Sequence, residues 1–331
     1  MRRETLSDFM LLCHFNPEHD YAIANGDENY VAPASALQFA QDCRNLLSMA
    51  YPGSVSEYVQ SVTDVKVWGW NPAVRKQLGR QGVPMELMPT DQQLRDLREL
   101  THRKTSAYAM TWLKSRIDLR PRPATIITDM EQADGVVMNS NGPMLLKWPY
   151  SSNGTGVILI QKPADWMDMA AREQCRKQLK HYGSVMAEPM YDVVLNFAME
   201  FECSGGMAQF CGYSLFQTDG FSYSANLLKS DSQIEEILQC YIDRDQLHAV
   251  RCGLQDFLTE FAAKRYDGIV GVDMFVYREE GGYWLNPAVE LNFRHTMGWL
   301  ARRLYDLGLV PKDARRMMID RSNSHYSLLF D

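Results

Sequence analysis

Residues 145–157 read Leu-Leu-Lys-Trp-Pro-Tyr-Ser-Ser-Asn-Gly-Thr-Gly-Val. A single lysine, Lys147, ends an apolar run, and a Ser/Asn/Gly loop follows before the chain turns apolar again at Val157. The pattern predicts a strand, a hairpin loop and a second strand. Gly154 and Gly156 permit positive φ and close approach of a ligand to the backbone. They also leave N–H groups free to converge on one oxyanion. With the ammonium of Lys147 beside the same loop, the chemistry that fits is polyphosphate binding. An ordinary surface hairpin is the alternative for these residues taken alone. The pattern G-x-x-x-x-G-K-[ST] is absent and no helical pattern follows the loop.

Residues 284–294 read Trp-Leu-Asn-Pro-Ala-Val-Glu-Leu-Asn-Phe-Arg. On a strand, side chains repeat every second residue, so Glu290, Asn292 and Arg294 share one face. Oxygen ligands of this kind suit Mg²⁺, which takes one or two protein carboxylates together with substrate phosphates. The guanidinium beside them suits bidentate binding of a carboxylate or phosphate. Upstream, residues 268–277 form an apolar strand pattern with one acid, Asp273. A turn at residues 279–282 would set Asp273 next to Glu290. A lone acid in a strand usually marks an edge or turn, whereas two acids on paired strands beside an Asn point to a metal site.

On these residues the sequence resembles the ATP-grasp superfamily. The resemblance rests on Lys147 with the glycine loop (Ser151, Ser152, Asn153, Gly154, Thr155, Gly156), on Asp273, and on the E-x-N-x-R run of Glu290, Asn292 and Arg294. Two looser segments agree. Residues 102–123 resemble the family's lysine, helix and proline-flanked strand, which makes Lys104 a second phosphate ligand. Residues 186–191 resemble the interdomain strand whose acid and following backbone hold adenine, here Glu188 and Met190. Asn196 falls where relatives place a ribose contact, although an Asn there is commonly a turn residue. The match in order and spacing spans roughly residues 101–299, more than half of the chain. Each motif alone is loose; the five in this order are fairly specific.

There are departures. Many relatives carry three or four glycines in the phosphate loop, where this chain has Ser151, Ser152 and Asn153 beside two glycines. Pro189 follows Glu188 where relatives often have a free N–H. The hairpin between Asp273 and Glu290 is long. Together these argue against a near match to any well-studied ligase.

The elements that must position these residues can be read from the rest of the chain. Its 331 residues, 46% hydrophobic and 23% charged, describe an ordinary globular protein with room for two or three subdomains. A net charge of −7, from 34 basic and 41 acidic residues, argues against nucleic acid as the main partner. Seven scattered cysteines, none in C-x-x-C spacing, indicate neither a zinc ribbon nor a disulfide framework. Reduced thiols and a cytoplasmic location are the expectation. Residues 1–3 resemble the start of a secretory signal, but Glu4 and Asp8 interrupt it. No stretch approaches the roughly 20 apolar residues of a membrane span. Strands are predicted at 9–15, 65–70 and 83–88, with helices at 33–47 and 71–82, implying a small parallel sheet over residues 1–100. Beyond it, helices are predicted at 91–103 and 163–182, and antiparallel strands at 193–201 and 207–216. Two apolar helical stripes over 230–266 and a helix at 299–307 complete the pattern. The tail at 325–330 receives no function.

The loop at residues 16–30 is dense in polar groups and falls at a strand's C-terminal end, where ligands sit in open α/β sheets. Glu18, His19 and Asp20 are candidates for substrate contact there, against the plainer reading of a helix start capped by Asp20 or Asn16. His19-Asp20 has a superficial likeness to metal phosphohydrolases, but no companion histidines complete such a site. His295, just after the metal strand, is a further substrate candidate or else a hydrogen-bonded structural histidine.

The expected fold is thus α+β: a small parallel-sheet α/β domain (1–100), then two antiparallel α+β subdomains of ATP-grasp type (101–188 and 189–331), with ATP between them. The resemblance implies ligation of a carboxylate to an amine or thiol through an acylphosphate, with ATP and Mg²⁺ as cofactors and no nucleic-acid or membrane partner. Lys147 and Arg294 are the expected catalytic residues, and Asp273, Glu290 and Asn292 the metal ligands. The acidic loop (Glu18, Asp20, Asp27, Glu28) would attract the amine and Arg294 the carboxylate. Phosphoryl transfer to a hydroxyl and non-catalytic nucleotide binding are the alternatives.

Overall fold

The computed structural model describes residues 10–331 apart from 61, 152, 153 and 168. Strand β1 (Met10–His14) lies parallel to β2 (Val62–Val67). Phe9, part of the expected first strand, lies outside the described residues. Helices α1 (His19–Asn25) and α2 (Ala34–Asp42) connect the two strands. Helix α3 (Pro72–Arg80) begins where Asn71 accepts the Val74 N–H and Pro72 supplies a preset φ. Helix α4 (Asp91–Thr101) begins with a Thr90–Gln93 capping box. The third strand expected at 83–88 does not form. Pro84 has no N–H to give to a ladder, the Val83 N–H is spent on the Leu78 carbonyl, and Met85–Leu87 closes a 3₁₀ turn.

Helix α5 (Lys104–Lys114) crosses from this unit to the rest of the chain. Strand β3 (Thr125–Ile127), helix α6 (Met130–Met138), strands β4 (Met144–Lys147) and β5 (Val157–Ile160), helix α7 (Met169–Tyr182) and strand β6 (Val185–Pro189) follow. The four strands make an antiparallel sheet in the order β3-β6-β4-β5. Ile127, Leu146, Ile160, Trp166 and Val185 fill the core beneath it.

The long strands β7 (Asp192–Ser204) and β8 (Met207–Asp219), with β9 (Ser222–Leu227), begin a seven-stranded sheet. Helices α8 (Asp231–Leu238) and α9 (Arg244–Phe261) bury their apolar stripes, including Ile234, Leu254 and Phe257, in a core shared with its strands. Strands β10 (Gly268–Glu279) and β11 (Gly282–Asn292) pair through a two-residue turn in which Glu280 and Gly281 both take positive φ. Helix α10 (Met297–Asp306) follows, capped by the Thr296 side chain. The tail folds as a hairpin, β12 (Arg316–Ser322) and β13 (His325–Phe330), at the far edge of the same sheet.

Two packings join these parts. Ala109, Met110 and Leu113 of α5 share a core with β7, β8 and β10, which fixes the start of α5 between the two antiparallel sheets. Cys13, Phe15 and Trp68 of the parallel unit share another with Trp299, Leu300 and Leu304 of α10. The His295 N–H donates to the Trp68 carbonyl at 2.8 Å, stitching the segment after β11 to the N-terminal unit. Among the described residues no helix is long and apolar enough to cross a membrane.

Candidate active site

The β10–β11 register places Asp273 directly opposite Glu290. Asn292 donates its amide N–H to Asp273 Oδ2 at 3.1 Å, while its carbonyl oxygen accepts from Arg294 at 3.0 Å. Burial, followed by the charge of Glu290, pushes the Asp273 carboxyl up to about 7. Two carboxylates and an amide oxygen are an incomplete shell. Among the described residues no group of three His, Cys, Asp or Glu side chains could hold a metal. The donor set therefore fits Mg²⁺ that draws its remaining ligands from phosphate and water.

Lys147, the last residue of β4, forms an ion pair with Glu188 on β6. The two sit diagonally across neighbouring strands, since Lys147 is opposite Met186 and Glu188 opposite Leu145. Gly154 and Gly156 take φ of 73° and 69°. A Cβ on Gly156 would approach the Trp148 ring to 2.7 Å, so a side chain at this position would fill the cradle. Thr155 is hydrogen-bonded to the Tyr21 hydroxyl at 2.7 Å, tying the loop to α1. Ser151 is buried; Ser152 and Asn153 lie outside the described residues.

Arg103, absent from the expected site, is its central cation. Its guanidinium is 2.9 Å from Glu290 and donates to the Ser151 hydroxyl at 3.2 Å, while its buried Nε has no partner. Lys104 turns the other way: its ammonium lies 3.8 Å from Glu99 on α4. Adjacent residues at a helix start point about 100° apart, so only one of two neighbouring cations faces the cleft. The sequence signal was a pair of cations, with nothing to choose between them.

Arg103, Lys147, Met186, Glu188, Tyr191 and Ala288 line a crevice between the two antiparallel sheets. Its free volume is about 20 Å³, room for about one water molecule. The Met190 N–H is engaged by the Pro143 carbonyl. Asn196 sits within β7, opposite Phe275, and donates to the Thr218 hydroxyl at 3.4 Å.

Arg294 is clamped by Asp20 of α1, Nε at 3.0 and 3.2 Å from the two carboxylate oxygens. This corrects the expectation that Asp20 and Arg294 serve separate substrates, because the two charges neutralise each other. Burial opposes ionisation of Asp20, but the charge and hydrogen bond of Arg294, with the charges of His19 and Arg103, together hold the carboxyl below its usual range. His19 is buried, with its ring packed against Gly69, and burial lowers its pKa to about 4. An occluded imidazole and a paired carboxylate exclude the phosphohydrolase reading. His295 is structural. The Val67 carbonyl can only accept from Nδ1, at 2.9 Å, so Nε2 accepts from the Tyr51 hydroxyl at 2.9 Å. Glu18 faces away from Arg294, into a separate groove.

A second carboxyl unforeseen in the sequence lies behind the metal strand. Glu200 on β7 is opposite Gly271 and accepts from the Ser214 and Thr296 hydroxyls at 2.9 and 3.0 Å. Burial raises its pKa to about 8.

The sequence matches no protein-family model and no curated protein. Solved structures do match. The biotin carboxylase domain of a Hydrogenobacter thermophilus 2-oxoglutarate carboxylase, determined with MgADP and bicarbonate, aligns over 94% of this chain and 74% of its own, with a TM-score of 0.52 and 10% identity. D-alanyl-alanine synthetase A from Vibrio cholerae aligns over 86% and 88%, with a TM-score of 0.50 and 12% identity. Biotin carboxylase from Campylobacter jejuni, with bound β-γ-ATP, aligns over 87% and 66%, with a TM-score of 0.51 and 12% identity. At such identities the likeness is one of architecture, and the architecture they share with this chain is the ATP-grasp fold.

Proposed function

We propose that this chain is an ATP- and Mg²⁺-dependent ligase joining a carboxylate to an amine or thiol through an acylphosphate, with its units at 1–100, 101–188 and 189–331. The observation that carries the reading is the set of contacts made by Arg103. It lines one crevice with Lys147, pairs with Glu290, which faces Asp273, and donates to Ser151 of the glycine loop. Mg²⁺, when bound, would neutralise phosphate charge at Asp273, Glu290 and Asn292. Arg103 and Lys147 would hold phosphate oxygens in place of Glu290 and Glu188, leaving Glu290 to serve with Asp273 as a metal ligand. The Asn292 oxygen, which accepts from Arg294, would join them. A substrate carboxylate oxygen attacks the γ-phosphorus as ADP leaves. The amine or thiol then attacks the acyl carbon, loses its proton, and expels phosphate. Arg294 holds the acceptor carboxylate or the phosphoryl group once Asp20 yields it.

Calorimetry with Mg-ATP tests the nucleotide half. Lys147→Ala removes a charge-assisted bond and leaves Glu188 unpaired, so binding should weaken by about 1.5–3 kcal/mol; wild-type affinity in the variant overturns the assignment. Glu290→Gln keeps the shape and should abolish turnover while folding persists. Product analysis decides the reaction: an amide or thioester with free phosphate supports ligation, and a phosphoester replaces it with phosphoryl transfer to a hydroxyl.

A further inference from the structure

A groove of about 630 Å³ opens beyond the C-terminal end of β1, between α2 and α3. Its size falls among small-molecule sites, and its position is where ligands sit in open α/β sheets. His14, Glu18, Gln41, Arg44, Glu57 and Gln77 are among the residues that line it. Their pairing decides which ligand fits. Arg44 and Glu57 are exposed and 3.1 Å apart, so the one cation is already spent. Glu18 stands at the N-cap of α1 yet its side chain makes no capping bond, and among the described residues it enters no ion pair. His14 ends β1, and burial lowers its pKa to about 4, so the ring is neutral at physiological pH. An unpaired carboxyl and a neutral imidazole are both hydrogen-bond acceptors. A carboxylate or phosphate ligand would meet Glu18 with no free positive charge to offset it. A ligand that brings its own positive N–H donors meets the opposite situation.

We propose that this groove binds a small primary amine, with its ammonium at Glu18 and His14. The groove lies apart from the transfer site but is joined to it through α1. Glu18 precedes Asp20, which holds Arg294, and Tyr21, which holds Thr155 of the phosphate loop. The amine is thus seated at one end of a short helix whose first turn touches both Arg294 and the glycine loop.

The test uses the full chain and three probes, ethanolamine, glycinamide and putrescine, titrated by calorimetry with Mg-ADP measured in parallel. At least one amine should bind the wild-type protein. Glu18→Gln should weaken that amine about tenfold or more, the loss of one charge-assisted bond. Ala40→Phe, which fills the groove from α2, should do the same, with thermal melting to confirm that it folds. Both variants should keep Mg-ADP binding, and Lys147→Ala should keep the amine. Failure of all three amines to bind, or undiminished binding to both groove variants, overturns the proposal. Amine binding that follows these rules in a chain that never binds Mg-ADP supports the groove and overturns the ligase reading.

Discussion

The crevice between the two antiparallel sheets and the groove beside β1 are built in opposite ways. In and around the crevice, Lys147, Arg103 and Arg294 are each held by a carboxylate, on Glu188, Glu290 and Asp20. The space left is about 20 Å³. In the groove, Glu18 enters no ion pair among the described residues and the space is about 630 Å³. A polyanion must break standing ion pairs to enter the first, whereas a small cation needs to break none at the inner end of the second. Ionic side chains in the crevice hold one another in place of a ligand, and the cost of separating them is drawn from the binding energy of the nucleotide.

The largest expected effect tests this difference directly. Removing one partner of a buried pair strands the other charge, which costs about 3–5 kcal/mol. Asp20→Asn should therefore destabilise the fold by that amount in denaturant unfolding, because Arg294 is left buried. Glu18→Gln should change stability by no more than about 0.5 kcal/mol, since nothing depends on its charge. The double variant Asp20→Leu with Arg294→Met should recover most of the loss, although it gives up the guanidinium. Equal losses at positions 20 and 18 would erase the distinction between the two regions.

A second effect is smaller and depends on pH. Glu200 lies behind the crevice with its pKa raised to about 8 by burial. An acid whose folded pKa is raised stabilises the fold below its unfolded value, and that contribution is lost as pH rises through the folded pKa. Wild-type stability should therefore fall, relative to Glu200→Gln, between about 4.5 and about 8 and then level off. The difference should reach up to a few kcal/mol. Asp273 and the buried histidines titrate in both proteins, so comparing the two removes their share. A difference independent of pH would mean that Glu200 is ionised throughout.

How much of this was legible in the sequence follows from how local each feature is. The facing of Asp273 and Glu290 follows from strand alternation and a short turn, both local, and the register agrees. The positive φ of Gly154 and Gly156 is likewise a property of glycine. The exchange of Lys104 for Arg103 turns on where α5 begins and which way its first residues point, which packing against β7 and β10 decides. The Asp20–Arg294 clamp joins residues 274 apart, and no periodicity reports such a distance. The expected strand at 83–88 failed on Pro84, a signal that was present and outweighed by the apolar pattern. The β12–β13 hairpin was missed because its partners, β9 and α2, lie far back in the chain.

The smallest effect concerns the link between the two regions. Tyr21 is partly exposed, and its hydroxyl bonds Thr155 at 2.7 Å across a surface that joins α1 to the phosphate loop. Tyr21→Phe removes the hydroxyl and keeps the ring. A neutral hydrogen bond of this kind contributes about 0.5–1.5 kcal/mol, and exposure puts this one at the lower end, so global stability should scarcely move. The loop, however, is where φ is positive and the Mg-ATP phosphates are proposed to sit, so the variant should bind Mg-ATP about twofold to threefold less tightly. Amine binding in the groove should be unchanged, because Glu18 and His14 are untouched. Calorimetry with both ligands separates the cases. If the amine also weakens, α1 transmits the state of the loop to the groove, and the two regions act as one site.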